Sequence, residues 1–345
     1  MFSSLQTQVA TIKKSVAFHA ASASVGQTHG LVVSLDGILY GSGQNSLCQF
    51  GTDRIPESKV FAKINQDVQE ASAGPGYTLI IKKDGTLWGT NPNTCSWHKL
   101  QAGVKRVVAG DYFHLLLKND GTLVSSGKSE TRVLDSVESM DMGLWQNWLI
   151  VKNDATLWGT GENVAYQSRS KNSKEIGTNS LVFLLSNVKS ASSGGMHSMA
   201  LKNDGTLWGA GSNMYGQLGT GDNQDRETFV NILSNVSSVA CAYNQTYALK
   251  NDGTLWATGG KGKVIAPSHN LDDDIDRNSF VPVLNDVLYI SASWIRGATA
   301  SSATAIKKDG TLWMIGANGF GGLGIGTYED LEDWKSIYIS IGPQK

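Results

Sequence analysis

Hydrophobic and polar residues alternate along this chain in short runs, and tight-turn pairs separate the runs. The clearest case is residues 197–219, where HSMALKN precedes the pair Asp204-Gly205 and TLWGAG follows it. Alternation with a period of two is typical of strands that bury one face. Asp-Gly between two such runs predicts a β-hairpin, because its turn needs positive φ, where glycine is favoured. The stretch therefore predicts two antiparallel strands joined by a tight turn.

The same hairpin pattern recurs along the whole chain, at intervals of 34 to 57 residues. The seven turns begin at Asp36, Asp84, Asp120, Asp154, Asp204, Asp252 and Asp309. Six of them have glycine after the aspartate, whereas the fourth has Ala155. Alanine at that place predicts either a strained backbone or a different type of turn.

Each repeat adds two further strands to its hairpin. A small-residue run such as ASSGG (191–195) precedes it, and a strand such as FVNIL (229–233) follows a loop. A single four-stranded sheet cannot bury both faces, but seven sheets packed radially can. We therefore predict an all-β fold, a seven-bladed β-propeller of four-stranded antiparallel blades, as one domain over residues 1–345. The small-residue strand is expected nearest the axis, and one chain end is expected to add a strand that closes the ring.

Composition excludes several classes of partner. The net charge is −1, with 29 basic and 30 acidic residues, which argues against nucleic-acid binding and a polybasic membrane surface. Neither a secretory signal pattern nor an apolar run of membrane-spanning length is evident, so synthesis in the cytoplasm without membrane insertion is expected. Cys48, Cys95 and Cys241 are odd in number and form no CxxC pair. Their spacing argues against a disulfide framework or a zinc site and favours a reducing compartment.

The repeat resembles the regulator-of-chromosome-condensation repeat family. The resemblance lies in GGMHSMAL (194–201), in the run from Asp204 to Asn213, and in the loop NMYGQLG (213–219). Weaker copies of the loop are NSLCQFG (45–51) and NGFGGLG (318–324). Members of that family form seven-bladed propellers, so the resemblance implies the same fold over essentially the whole chain. The repeat sequence KNDGTLW is more similar to bacterial and bacteriophage members of the family than to the eukaryotic chromatin-bound member.

The resemblance also bears on partners. The founding member of the family exchanges guanine nucleotide on a Ran-type GTPase with one propeller face and a protruding β-hairpin, and it binds nucleosomes through basic elements. This chain has no basic tail. Its long insertions, residues 162–180 and 259–279, lack the alternating pattern of such a hairpin. A small GTPase therefore remains a possible partner that the sequence does not favour.

No motif for catalysis, cofactor binding or metal binding stands out. GxSxG, HExxH and P-loop patterns are absent, and no nucleophile has an evident base. Acidic residues alternate at 272–278 as in a calcium loop, but Arg277 and Val283 occupy the places that need glycine and glutamate. We therefore predict a protein that is not an enzyme and holds no cofactor and no metal.

Aromatic residues supply the candidate binding site. Five tryptophans occupy one repeat position, which predicts packing between blades, with a sugar-binding surface as the alternative: Trp88, Trp158, Trp208, Trp256 and Trp313. Other aromatic residues lie outside that register, mostly in loops, where such residues often anchor partners. The candidate partner-binding residues are Trp97, Trp145, Trp148, Tyr166, Tyr215 and Phe320.

The function predicted from the sequence is a non-catalytic propeller for protein–protein contact. The repeat sequence favours a structural component of a phage virion, associated with the tail or the capsid, or a component of a bacterial assembly. A guanine-nucleotide exchange factor or GTPase-binding effector is one alternative, and a glycan-binding propeller is another. The short repeats around residues 85–155 predict a sector of short loops that an asymmetric partner would meet.

Overall fold

The computed structural model describes residues 19–110, 113–126, 130–143, 148–160, 181–260, 277–294 and 301–339. In these ranges, 28 strands form seven four-stranded antiparallel sheets. The first strand of each sheet contacts the first strand of the next, and the seventh sheet contacts the first. The predicted all-β, seven-bladed propeller is confirmed. None of the described residues forms a helix long and apolar enough to cross a membrane.

Each blade consists of four consecutive strands, numbered from the axis outward. Blade one contains β1 (Ala20–Val25), β2 (His29–Ser34), β3 (Leu39–Gly43) and β4 (Ser58–Asn65). Blade two contains β5 (Val68–Ala73), β6 (Thr78–Lys82), β7 (Thr86–Asn91) and β8 (Ser96–Ala102). Blade three contains β9 (Val104–Ala109), β10 (His114–Lys118), β11 (Leu123–Ser126) and β12 (Glu130–Leu134).

The remaining blades follow the same order. Blade four contains β13 (Val137–Met142), β14 (Trp148–Lys152), β15 (Leu157–Thr160) and β16 (Val182–Leu185). Blade five contains β17 (Val188–Ser193), β18 (His197–Lys202), β19 (Leu207–Gly211) and β20 (Arg226–Leu233). Blade six contains β21 (Val236–Cys241), β22 (Gln245–Lys250), β23 (Leu255–Gly259) and β24 (Val281–Leu284). Blade seven contains β25 (Val287–Trp294), β26 (Ser301–Lys307), β27 (Leu312–Gly316) and β28 (Leu331–Ile337).

One backbone hydrogen bond repeats at every junction between blades. The carbonyl of the residue after each turn aspartate accepts the N–H that begins the innermost strand of the next blade. Gly205 O, for example, lies 2.9 Å from Val236 N, and the seven N···O distances range from 2.8 to 3.3 Å. The hairpin turn therefore does two things at once, because it reverses the chain and joins neighbouring blades.

The junction between blades seven and one closes the ring. Ala20 N donates to Gly310 O, and Gly326 N donates to Lys59 O. Ser42 Oγ donates to Gly322 O across the same junction. We expected one chain end to add a strand to the terminal blade, but within the described residues every blade is built from consecutive strands. Most of both chain ends, residues 1–18 and 340–345, lies outside the described residues, so a closing strand stays a prediction. Within the described residues, contacts between complete blades close the ring.

The innermost strands use their small polar side chains to satisfy a strand edge. The innermost strand has one free edge, whose N–H groups lack partners within the sheet. Ala73 N donates to Ser24 Oγ, and Ala109 N donates to Ser72 Oγ of the preceding blade. Asp141 and Ser192 accept the same kind of bond further round the ring. The predicted position of the small-residue strand near the axis is thereby confirmed.

The five tryptophans in register fill the spaces between blades, as predicted. Trp208 packs with residues of blades four and five, and its indole Nε1 donates to Thr206 Oγ1 at 2.9 Å. That threonine hydroxyl donates in turn to Asp204 Oδ1, and Lys202 Nζ lies 3.9 Å from the indole centroid. The same arrangement surrounds the other four tryptophans, with ammonium-to-centroid distances up to 5.9 Å. These rings therefore pack between blades, with a lysine ammonium over each of them.

The turn at Asp154-Ala155 is strained in the way that its sequence predicts. Ala155 has φ of 61°, although its carbonyl makes the usual bond to Val188 N at 2.8 Å. The left-handed region costs about 1 kcal/mol for a residue with a Cβ. Ala155→Gly is therefore expected to raise the free energy of unfolding by about 0.5–1 kcal/mol, measured by urea denaturation.

A matched variant tests the same turn in reverse. Gly205 occupies the equivalent place in blade five, with φ of 79° and no atom closer than 3.6 Å to a built Cβ. Gly205→Ala is therefore expected to lower stability by about 1 kcal/mol through backbone strain alone. Equal stability for wild type and Ala155→Gly would contradict the strain at this turn.

Candidate functional site

Alternation of the strands gives the propeller two different ends. The Asp-Gly hairpins and the turns between blades emerge at one end, which we call the hairpin face. The connections between the first and second strands, and between the third and fourth strands, emerge at the other end, which we call the loop face. The long loops of the repeats are all on the loop face, where a propeller has the most freedom to vary its surface.

In the part of the chain that the structure describes, three blades carry the same buried turn on the loop face. It spans residues 45–51, 213–219 and 318–324, and each copy begins with a buried asparagine. In blade five, Asn213 Oδ1 accepts Leu218 N at 2.8 Å, and Asn213 Nδ2 donates to Asp222 O at 2.7 Å. Asn45 and Asn318 make corresponding bonds in their own loops. A buried amide therefore fixes the path of each loop from inside.

The third residue of this turn is apolar in all three copies. Leu47 is 53% exposed and Phe320 is 39% exposed, while Tyr215 is half-buried. Tyr215 and Phe320, two of the candidate residues, thus share one repeat position on the loop face. Met214, next to Tyr215, is 52% exposed, and Met196 is also exposed in the same blade. This apolar position, repeated in blades one, five and seven, is the candidate contact surface.

The other candidate residues have different surroundings. Trp97, in β8, is half-buried and packs on Gly51, because a Cβ built there would lie 2.3 Å from Trp97 Nε1. Trp148 is only 8% exposed and makes an edge contact with Phe113 at a centroid distance of 5.5 Å. Trp148 therefore presents little surface to a partner. Trp145 and Tyr166 lie outside the described residues.

Cysteine pairing differs from the expectation drawn from the sequence. Cys48, in the blade-one loop, and Cys95, between β7 and β8, form a disulfide with a Cα–Cα distance of 4.9 Å. Spacing along the chain does not reveal this pair, because the two residues meet across a junction between blades. Cys241 is buried and free. A signal was present in the sequence, since Cys48 occupies the place that glycine holds in the other two loops.

Two buried histidines link neighbouring blades below the loop face. His29 Nε2 lies 2.9 Å from Thr78 Oγ1, and the Thr78 hydroxyl donates to Gln49 O at 2.7 Å. The threonine proton is committed to that carbonyl, so the histidine must donate from Nε2. The same bonds recur between blades five and six among His197, Thr246 and Gln217. Burial lowers the pKa of His29 to about 4 and that of His197 to about 3.

The turn carboxylates are separate structural groups and do not form a single site. The pKa of Asp204 is lowered by the hydrogen bonds that its carboxylate accepts from the hydroxyl and backbone N–H of Thr206. Four further turns show the same arrangement, at Asp84, Asp154, Asp252 and Asp309. Among the described residues, no three histidine, cysteine or acidic side chains lie close enough together to hold a metal ion. Asp272, Asp274 and Asp276 lie outside those residues.

One charged cluster faces the axis of the ring. Glu70 Oε2 lies 3.7 Å from Arg106 Nε, and Glu70 Oε1 accepts Val107 N at 3.2 Å. Burial raises the pKa of Glu70 despite the nearby arginine. Burial also raises the pKa of Tyr289, whose hydroxyl is close enough to feel the charges of Arg106 and Glu70. Glu70 and Arg106 therefore pair with each other in this cluster.

Comparison with known proteins agrees with this architecture. Residues 204–249 and 188–217 match two models of the regulator of chromosome condensation (RCC1) repeat. The molecule is thus a seven-bladed propeller in which residues 188–249 match the RCC1 repeat, and the resemblance seen in the sequence is confirmed for that stretch. No curated protein matches the chain in sequence.

Several solved structures share the fold at low sequence identity. Prp20p from Saccharomyces cerevisiae has a TM-score of 0.74 and 17% identity, and the match covers 89% of this chain and 87% of that one. Yeast RCC1 (Prp20) bound to Kap60 has a TM-score of 0.73 and 16% identity, with 93% and 85% covered. Human WBSCR16 has a TM-score of 0.51 and 18% identity, with 94% and 82% covered. At these identities the similarity establishes the fold alone.

Proposed function

We propose that this propeller is a non-catalytic protein-binding ring that contacts its partner with the loop face. The observation that carries the proposal is the exposed apolar residue at one repeat position, Leu47 in blade one and Phe320 in blade seven, held on rigid loops. Apolar and aromatic residues exposed on rigid loops are common binding anchors, and here two of them share one repeat position in adjacent blades. Leu35 and Leu288 are exposed on the opposite face without such a repeat.

The setting we favour is an assembly component, a bacteriophage virion protein associated with tail or capsid, or a bacterial equivalent. The support for this setting is the repeat sequence KNDGTLW. In this setting the chain is synthesised in the cytoplasm and then incorporated into the particle. Mass spectrometry of purified particles from the producing cells tests it. Recovery of this chain in stoichiometric amount with particle proteins is expected, and its absence from particles would remove the setting.

The alternative is a GTPase-binding protein. It is favoured by the similarity in fold to Prp20p, a protein described with binding properties to Gsp1p and histones. The test is release of a fluorescent guanine nucleotide from a Ran-type GTPase, with and without this chain. Acceleration of release would support the alternative, and no complex at micromolar concentration would exclude it.

The contact surface itself gives a mutational prediction. Leu47→Ser combined with Phe320→Ser is expected to weaken binding of the partner at least about tenfold, because two apolar anchors become polar. The partner is first captured with the wild-type chain, and affinity is then measured by calorimetry. Leu35→Ser, at a leucine on the hairpin face that is 69% exposed, is the control and should leave affinity unchanged. A larger loss with the control than with the double variant would place binding on the other face.

A further inference from the structure

The blade-one loop has a cysteine where its two relatives have glycine. The fourth residue of the buried turn is Cys48, Gly216 or Gly321, and φ there is 59°, 72° or 74°. In each copy the N–H of this residue donates to the asparagine carbonyl three residues earlier, at 2.7 to 2.9 Å. The backbone is thus the same in all three loops, and glycine is the residue that it favours. Cys48 therefore occupies a position that disfavours any side chain.

Cys95, the bonding partner, also lies in the left-handed region. It has φ of 45° and belongs to the short connection between β7 and β8. Blade two lacks the long loop of blade one, and its short connection reaches the blade-one loop instead. The bond thus joins two cysteines that both adopt a backbone conformation favoured by glycine. Their Cα separation of 4.9 Å is within the usual range for disulfides.

The bond lies in the middle of a contact between two blades. On one side, Leu47 covers Gly76, since a Cβ built on that glycine would lie 2.7 Å from Leu47 Cδ1. On the other side, Trp97 covers Gly51. The disulfide therefore connects the blade-one loop to blade two at the place where side chains of each already cover the other. Blades five and seven have no cysteine in their buried turns, so this junction differs from the corresponding ones.

We propose that Cys48–Cys95 is a thiol-responsive clasp that fixes the loop face between blades one and two and releases it on reduction. Oxidation joins the two sulfurs with loss of two protons and two electrons, which a low-molecular-weight disulfide such as glutathione disulfide accepts as it becomes two thiols. In the reverse direction, a thiolate attacks one sulfur and forms a mixed disulfide, and a second thiol completes the reduction. The clasp thus follows the redox state of the compartment that contains the protein.

The exposure of the two cysteine residues sets the direction of exchange. Cys48 is 5% exposed, whereas Cys95 is half-buried near the surface, so an external thiolate reaches Cys95 first. The mixed disulfide then forms on Cys95, and Cys48 leaves as the free thiolate. Cys241 is excluded from this chemistry by its position, since it is buried in another junction and its pKa is raised to about 12. The third cysteine therefore serves as an internal reference.

The test compares the full chain equilibrated with glutathione disulfide and with dithiothreitol. Alkylation and mass spectrometry are expected to find residues 48 and 95 cross-linked in the first case and alkylated in the second. Hydrogen exchange at residues 45–51 and 91–96 is expected to become about tenfold faster on reduction, with residues 213–219 unchanged. Reduction is also expected to lower the melting temperature by several degrees, because the cross-link spans 47 residues.

Variants separate the clasp from a purely structural bond. Cys48→Gly restores the residue of the sister loops, so it is expected to fold and to lose the response of hydrogen exchange to dithiothreitol. Cys241→Ser is the matched control and is expected to keep that response. Free alkylation of both residues after glutathione disulfide, or equal exchange in the two redox states, would overturn the proposal. Because effects on a partner would rest on the proposed function, every measurement here uses the chain alone.

Discussion

At pH 5 the free energy of unfolding is expected to be on the order of 4 kcal/mol lower than at pH 7.5, about 2 kcal/mol for each of two buried histidines. The cause is burial, which lowers the pKa of His29 to about 4 and that of His197 to about 3 from an ordinary 6.5. Below pH 6.5 the unfolded chain binds a proton at each histidine that the folded chain does not bind. Stability is therefore complete above pH 6.5 and falls as the pH is lowered toward the folded values.

The local structure explains why the folded histidines stay neutral. Each ring donates from Nε2 to a threonine, and the buried Nδ1 has no hydrogen-bond partner among the described residues. A second proton would therefore be placed on a buried nitrogen with no acceptor nearby, which is costly. The lowered pKa of His114 acts in the same direction, whereas the raised pKa of Glu70 opposes it near pH 5. The turn carboxylates do not contribute, since their pKa values lie below 3.8.

Blade six provides the control for this pH dependence. Gln245 occupies the position of His197, because it pairs with Gly259 as His197 pairs with Gly211. His197→Gln is therefore expected to fold and to remove about half of the change in stability between pH 7.5 and pH 5. Urea denaturation at pH 7.5, 6.5 and 5.0 measures it. An undiminished pH dependence in the double variant His29→Gln, His197→Gln would show that other groups control the acid response.

Gly30→Ala is expected to lower the free energy of unfolding by about 3 kcal/mol by forcing open the junction between blades seven and one. A Cβ built on Gly30 would lie 2.0 Å from Gly322 O, which is a backbone atom that cannot turn away. At the corresponding junctions a threonine hydroxyl donates to the loop carbonyl instead, as Thr246 does to Gln217 O. The junction between blades seven and one thus depends on a close approach of Gly30 to Gly322.

The matched control for the closing junction is Ser198→Ala. Ser198 pairs with Ala210 as Gly30 pairs with Ser42, so blade five already accommodates a Cβ at this place. This variant is expected to change stability by less than about 1 kcal/mol. Urea denaturation compares the two, and hydrogen exchange at residues 318–324 reports whether the junction has opened. Wild-type stability for Gly30→Ala would mean that blades seven and one separate without cost.

Features that repeat were predictable because each copy carries its own local signal. Asp-Gly pairs predicted the hairpins, since the turn chemistry acts within four residues. The tryptophans in register predicted packing between blades because seven copies of one residue position describe a scaffold. The strain at Ala155 could be predicted for the same reason, because the other six turns have glycine at this position.

Features that join different blades were not predictable from the same reasoning. Cys48 and Cys95 are 47 residues apart, and their contact depends on how far a loop of one blade reaches over the next. The closing junction depends on Gly30 and Gly322, which look like ordinary loop glycines in the sequence. The shared loop position of Tyr215 and Phe320 was missed because it was not treated as a repeat position. Both were treated as irregular aromatics, although the third place of the buried turn is itself a repeat position.

Every blade in the described part of the chain is one continuous stretch of polypeptide, and each meets its neighbour through the same turn-to-strand hydrogen bond. Duplication or loss of one repeat in the gene would therefore add or remove a whole blade without dividing any sheet. Rings of this construction can change their number of blades, and the loops that each blade carries, by simple genetic events.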